Sequence, residues 1–268
     1  MGDGGFDAWM MARQYAAETR RVYGIYVRKA GEFCDLDAAT TEELADWLET
    51  LRGSAPSRIA ARKALILYFT SIGRDPNPAE KLPRLPEPHR LPRPLSEGEH
   101  RRWIAAAHEL GGIQEVAGLL MATTGARIGE VRQAQWADLY LTEPGYWRVR
   151  GKGARRQGPR WRQQPLHPVV VGLLAGWRTP GTFVFPGARG PLSDGAMRKL
   201  LVEVGARAGL GYVTPHRIRH SVATYVLEHT GNMKAAQELL GHATMNPTMV
   251  YAQLLPERLR SVVNELPA

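Results

Sequence analysis

The chain predicts a mainly α-helical fold with a small β-sheet, divided into two domains. Three observations carry this. Apolar residues recur at helical spacing through most of the 268 residues, with cap signals at the ends of the runs. Only short stretches, near 146–150, 164–167 and 182–185, read as strands. Between the two helical regions lies KLPRLPEPHRLPRP, with five prolines in residues 82–94. Repeated proline forbids helix and favours extended chain, so this stretch reads as an interdomain linker. The expected boundaries are 1–80 for the first domain, 81–94 for the linker and 95–268 for the second.

The spacing predicts helices near 7–29, 41–52 and 56–72 in the first domain. Thr40 or Thr41, with acidic residues following, opens the second of these. In the second domain Ser96 and Glu99 stand at capping-box spacing for a helix to about Leu110. Helices follow at about 113–123, stopped by Gly125, and at 128–135. The strand Tyr146–Arg150 leads into the basic turn GKGARRQGPRWRQQP and a return strand near 164–167. Further helices are expected at 194–208, 215–229, 233–240, 247–253 and 256–265.

The net charge is +9, unevenly placed. Residues 1–93 carry 14 basic and 13 acidic side chains, whereas the remainder carries 21 and 13. No Asp or Glu lies between Pro144 and Ser193. A general solubility bias would not sort charge this way; a local surface for a polyanion would. Cys34 is the only cysteine, so there is no intramolecular disulfide and no cysteine-based zinc site. That favours a reducing compartment. No stretch has the length and apolarity of a membrane span, so no membrane partner is expected, and the cytoplasm is.

Several residues invite chemistry. Thr214-Pro215 starts a helix well, with Thr as cap and Pro at the first position. His216 and Arg219 then share one face in the first turn, where the helix dipole favours an anion. A helix-terminal histidine beside a surface arginine is the competing reading. Gly125 would end a helix and deliver Arg127 into the following turn, with Glu130 three residues on to hold the guanidinium. Arg suits phosphate because its planar fork gives two parallel bonds and keeps its charge. Lys152, in Gly151-Lys152-Gly153, is the only lysine between Lys81 and Lys199. Unlike Arg, a lysine can also give up a proton. Gly241 would cap a helix and aim His242, and Tyr251 would ride the short helix begun by Asn246-Pro247. His216 and His220 have metal-ligand spacing, but no HExxH glutamate accompanies them, so no metal is expected.

Taken together, ATTGARIGEV, GKG after a strand, TPHRIRHSVAT and LLGHATMNPTMVYAQL resemble the motifs of the tyrosine recombinases, the phage integrases and Xer-type site-specific recombinases. The resemblance extends over the whole chain. It implies a helical core-binding domain and an α-rich catalytic domain that clamp duplex DNA. It also implies site-specific breakage and rejoining of DNA through a 3′-phosphotyrosyl intermediate, without ATP, metal or other cofactor. Residue by residue, it assigns Arg127 and Arg219 to the scissile phosphate and Lys152 to protonation of the 5′ oxygen. His216 and His242 become proton-handling and phosphate-bonding groups, Tyr251 the nucleophile, and Glu130 the support of the first arginine. Arg148, Arg150, Arg155, Arg156, Arg160 and Arg162 form the expected DNA-binding hairpin. The implied partners are double-stranded core sites and a homotetramer in the synaptic complex, with accessory DNA-bending proteins allowed. The implied setting is the nucleoid of a prokaryote or phage-infected cell.

The hairpin departs from the family's GKG-x-K-x-R-x-V-P pattern: the path from Lys152 to Pro165 is longer. No N-terminal extension large enough for an arm-site domain is expected, which argues for a minimal recombinase acting on short core sites or an integrase that dispenses with distal arm sites. Two rivals share the motifs: a type IB topoisomerase, and a non-catalytic DNA-binding protein of the same fold.

Overall fold

The computed structural model describes residues 3–52, 55–84, 86, 93–151 and 161–241. Two compact units divide the chain, residues 1–90 and 91–268.

In the first unit, the helix expected over 7–29 is two helices, α1 (Asp3–Ala12) and α2 (Ala17–Phe33). The break has a local cause. Gln14 takes the left-handed conformation at φ 60°. The Tyr15 amide then donates to the Met10 carbonyl and the Gln14 amide to that of Met11. These are the 6→1 and 5→2 bonds of a Schellman cap, made here without the usual glycine. Helix α3 (Thr41–Thr50) opens with a capping box: the Glu43 amide donates to Thr40 Oγ1 at 3.2 Å and the Thr40 amide to Glu43 Oε2 at 2.9 Å. Helix α4 (Ala55–Ser71) closes the bundle. Met10, Leu44, Leu65 and Phe69 are buried in its core. Arg74 ties the end of the bundle back, donating to the Leu36 and Ala39 carbonyls at 2.8 Å each.

The second unit is built around one buried helix. Helix α5 (Glu97–Leu110) has the expected Ser96–Glu99 capping box. Helix α6 (Gly112–Thr124) has an unbroken buried run from Val116 to Ala122, as a helix apolar on all sides requires. It packs against α5 and against three later helices: α8 (Pro168–Gly176), α9 (Asp194–Arg207) and α10 (Pro215–Thr230). A short α7 (Ile128–Arg132) follows α6, and α11 (Met233–Leu240) follows α10. Fully burying a side chain the size of Leu120 contributes about 1.5–3 kcal/mol, so this central helix anchors whatever is attached to its ends.

The sheet is antiparallel in the order β1 (Leu139–Tyr140), β2 (Tyr146–Arg150), β3 (Trp161–Pro165). Val149 pairs with Arg162 and Trp147 with Gln164. Trp147 and Val149 are buried, so the pairing turns Arg162 and Gln164 to the same inner face. The return strand thus starts earlier than the expected 164–167.

Two other expectations change. Residues 168–176 form α8, which the sequence reading passed over. Pro168 at its first turn and the His167 ring, accepting from the Val169 amide, start it. The strand expected at 182–185 is a single bridge, Gln135 to Phe183, beside a two-stranded ribbon of β4 (Pro186–Gly187) and β5 (Gly190–Pro191). The helices expected at 247–253 and 256–265 lie outside the described residues.

Candidate active site

Four of the expected residues, Arg127, Glu130, His216 and Arg219, converge on the C-terminal end of α6. Gly125 caps that helix at φ 61° in the left-handed conformation. A Cβ there would meet Leu240 Cδ2 at 2.8 Å and Val222 at 3.2 Å, so glycine is required by both backbone and space. The chain then turns, and Arg127 becomes the N-cap of α7.

Glu130 receives four bonds, two on each oxygen. The Arg127 amide donates to Oε2 at 2.8 Å and Arg127 Nη1 to Oε1 at 3.0 Å. Arg162 adds a bidentate fork, Nη1 to Oε1 at 3.0 Å and Nη2 to Oε2 at 2.9 Å. The Glu130 side chain is only 7% exposed, against 15% for Arg162 and 32% for Arg127. Burial alone would raise the carboxyl pKa, but the bonds and charges of Arg162 and Arg127 outweigh it and hold the pKa below the ordinary value. Behind Arg162, the buried Gln164 amide donates to the Thr124 carbonyl at 3.1 Å, the last residue of α6.

Arg219 enters from α10. It is 4% exposed and donates from Nη1 to the Gly125 carbonyl and from Nη2 to the Leu240 carbonyl, both at 2.6 Å. His216, one turn earlier, keeps an exposed edge. Desolvation of its inner side, then the charges of Arg219, Arg198 and Arg127, lower its pKa and favour the neutral ring at pH 7. His220 is pushed down to about 4, by burial first and then by His216 and Arg219. Their ring centroids are 6.4 Å apart. No cluster of three or more His, Cys, Asp or Glu placed to hold a metal occurs among the described residues.

Arg127, Glu130, His216 and Arg219 are therefore brought together. Arg148 and Arg150 are on the outer, exposed face of β2. Arg148 Nη2 bonds Asp138 at 3.3 Å, and its guanidinium lies 4.8 Å from the Trp161 ring centre. Lys152, Arg155, Arg156, Arg160, His242 and Tyr251 lie outside the described residues. Sequence reasoning missed Arg198 beside His216, and it placed Arg162 with the outward-facing arginines. The paired strand carried a signal for Arg162: alternation along Tyr-Trp-Arg-Val-Arg shows which register positions face inward.

A family profile described as the phage integrase family matches residues 95–258, more than half of the chain. The chain belongs to that family. It is a tyrosine-type site-specific DNA recombinase, as its relatives are. The tyrosine recombinase XerC of Chromohalobacter salexigens is 33% identical over 223 residues, covering 77% of this chain and 72% of that protein. Two solved structures share the integrase fold at 20% identity. A XerH site-specific recombinase bound to palindromic difH substrate, in a post-cleavage complex, superposes with a TM-score of 0.77 over 96% of this chain and 82% of its own. A lambda integrase tetramer bound to a Holliday junction superposes with a TM-score of 0.71 over 92% and 74%. The match from 95 to 258 runs through the first arginine, the HxxR box and Tyr251, so the integrase motifs fall inside one continuous family match.

Proposed function

We propose that this recombinase attacks a phosphodiester of duplex DNA with the Tyr251 phenol while Arg127 and Arg219 hold the phosphate. The observation that carries the reading is the bond from Arg219 to the Gly125 carbonyl, two residues from Arg127. It gathers two permanently charged guanidinium groups, distant in sequence, at one helix end. Phosphoryl transfer asks the protein mainly for in-line positioning and stabilisation of developing negative charge. A neutral His216 between these cations can accept or pass a proton. Lys152 is the proton donor to the leaving 5′ oxygen in this reading, and His242 a further phosphate-bonding group. The phosphotyrosyl ester conserves the energy of the broken bond, so rejoining needs neither ATP nor a metal.

Residues 1–80 serve as the core-binding domain, 81–94 as the linker and 95–268 as the catalytic domain. The division into compact units at residues 90 and 91, within the proline-rich stretch, supports this partition. Double-stranded core sites are the substrate and four protomers the working assembly, with accessory DNA-bending proteins as further partners. The XerH complex with difH supports the DNA substrate, and the lambda integrase tetramer on a Holliday junction supports the assembly of four. The action takes place on the nucleoid in the cytoplasm, a reading supported by the bacterial XerC relative.

The test is to trap covalent protein–DNA adducts on native DNA and sequence the attached ends. Attachment through 3′ phosphates at discrete sites, abolished by Tyr251→Phe with DNA binding retained, is the expected result. Adducts that persist in the Phe variant would remove Tyr251 from the role. Relaxed plasmid without recombinant product would point instead to topoisomerase chemistry.

A further inference from the structure

Arg162 belongs to the basic hairpin in sequence, yet its side chain turns away from the hairpin's exposed face. Both terminal nitrogens are bonded to Glu130, and Nε is 3.4 Å from Gln164 Oε1. Its aliphatic stem and guanidinium also press on Gly241: a Cβ there would meet Arg162 Cδ at 2.8 Å and Cζ and Nε at 2.9 Å. The result is a continuous polar chain: Thr124 carbonyl, Gln164, Arg162, Glu130, Arg127. It joins the end of α6, strand β3 and the start of α7, and Arg162 packs it against the turn that follows α11.

The charges explain why a second arginine is needed. A carboxylate as buried as Glu130 requires a cationic partner. If Arg127 were the only partner, the pair would be neutral and Arg127 would offer an anion little net attraction. With Arg162 supplying the bidentate fork, the group of three carries a net +1. Arg127, the most exposed of the three, then has charge to direct outward.

We propose that Arg162 is a positioning residue that saturates Glu130, orients Arg127 and leaves it charged toward the scissile phosphate, rather than a DNA contact. This rests on the assignment of Arg127 to that phosphate. Lysine distinguishes the two roles. It preserves a point charge for a phosphate but cannot reproduce the two-nitrogen fork.

The experiment compares wild type, Arg127→Ala, Arg162→Gln, Arg162→Lys and Glu130→Gln/Arg162→Gln on one nicked DNA substrate carrying a site recovered from the trapped adducts. Adduct formation is followed at saturating protein, and DNA affinity is measured across a salt series. Arg162→Gln and Arg162→Lys are both expected to slow cleavage about 10- to 100-fold, the scale of a misplaced reacting group. Affinity and salt slope should stay at wild type. The double variant should cleave faster than Arg162→Gln, because removing the Glu130 charge returns the group to +1. If Arg162→Gln fails to fold by circular dichroism, Arg162→Lys still decides. A wild-type cleavage rate for Arg162→Lys would overturn the proposal. So would a salt slope reduced by about 0.9 in Arg162→Gln or Arg162→Lys, the signature of a lost phosphate contact. Arg127→Ala separates the two claims. A normal rate there sinks the site assignment itself; a defective Arg127→Ala beside a normal Arg162→Lys sinks only the positioning role.

Discussion

Arg219 Nη2 donates to the Leu240 carbonyl at 2.6 Å, while Nη1 of the same guanidinium donates to the Gly125 carbonyl at the same distance. One buried side chain of α10 thus closes the C-terminal ends of α6 and α11. Carbonyls at helix ends lack partners within the helix and carry the negative end of the dipole. A cation buried there is stabilised by those carbonyls. The arrangement also sets the distance between the Arg127 turn and the turn at Gly241, which leads to His242 and Tyr251.

Arg219→Lys is therefore expected to affect folding and chemistry together. A lysine ammonium is a single point and cannot span both carbonyls. Leaving one buried carbonyl unsatisfied costs about 1–3 kcal/mol. The midpoint of urea unfolding should fall accordingly, and Arg219→Ala should also lower cleavage by about 10²–10³-fold through loss of a charge-stabilising donor. An unchanged midpoint for Arg219→Lys would show that the two carbonyls do not need the fork.

Gly125→Ala should be among the more damaging small substitutions in this unit. The left-handed backbone disfavours a Cβ by roughly 1–2 kcal/mol. Its contact with Leu240 at 2.8 Å adds overpacking, typically about 1–3 kcal/mol. Gly129→Ala is the control, since nothing lies within 4 Å of a Cβ there. Equal thermal midpoints for the two variants would refute the packing argument.

Stability should fall on mild acidification. His220 is lowered from 6.5 to about 4, chiefly by burial and then by His216 and Arg219, and His216 is lowered in the same direction. Between pH 6.5 and about 4 the unfolded chain therefore binds more protons than the native one. The contribution of a neutral His220 is complete above pH 6.5 and disappears as pH falls toward 4. Glu130, held below 4.5, adds a second loss at lower pH, as its carboxylate is protonated in the native state. Thermal midpoints measured from pH 8 to 4 should show this slope, and His220→Gln should flatten it above pH 4.5. A wild-type slope in that variant would exclude His220 as the source.

Much of this site was legible because its signals are local. Gly125 two residues before Arg127, and Thr-Pro ahead of His216 and Arg219, announce helix ends, and helix ends decide where the next side chain points. Arg162 was not legible from its own strand. Trp-Arg-Gln-Gln-Pro shows no apolar alternation, so its inner face becomes visible only once Val149 and Trp147 are paired opposite Arg162 and Gln164. Arg148 and Arg150, by contrast, alternate with those two apolar residues and remain on the outside. The break between α1 and α2 was hidden because Gln14 occupies a left-handed position where glycine is the usual sign. Helix α8 was hidden by its composition, since Val169, Val170 and Val171 suit a strand as well as a helix.

Lys152 directly follows Gly151 in sequence, and its proposed role is separable from that of Arg127. If Lys152 protonates the departing 5′ oxygen, its loss matters only while that oxygen needs a proton. A 5′-bridging sulfur departs as a thiolate without one, because a thiol is a far stronger acid than an alcohol. Lys152→Ala should therefore be strongly impaired on normal DNA and largely restored on the sulfur-bridged strand. Arg127→Ala should stay impaired on both, since the charge developing on the non-bridging oxygens is the same in the two substrates. The readout is the ratio of single-turnover cleavage rates on the two strands, taken for each variant at saturating protein. If Lys152→Ala shows the wild-type ratio, Lys152 holds phosphate and the proton comes from elsewhere.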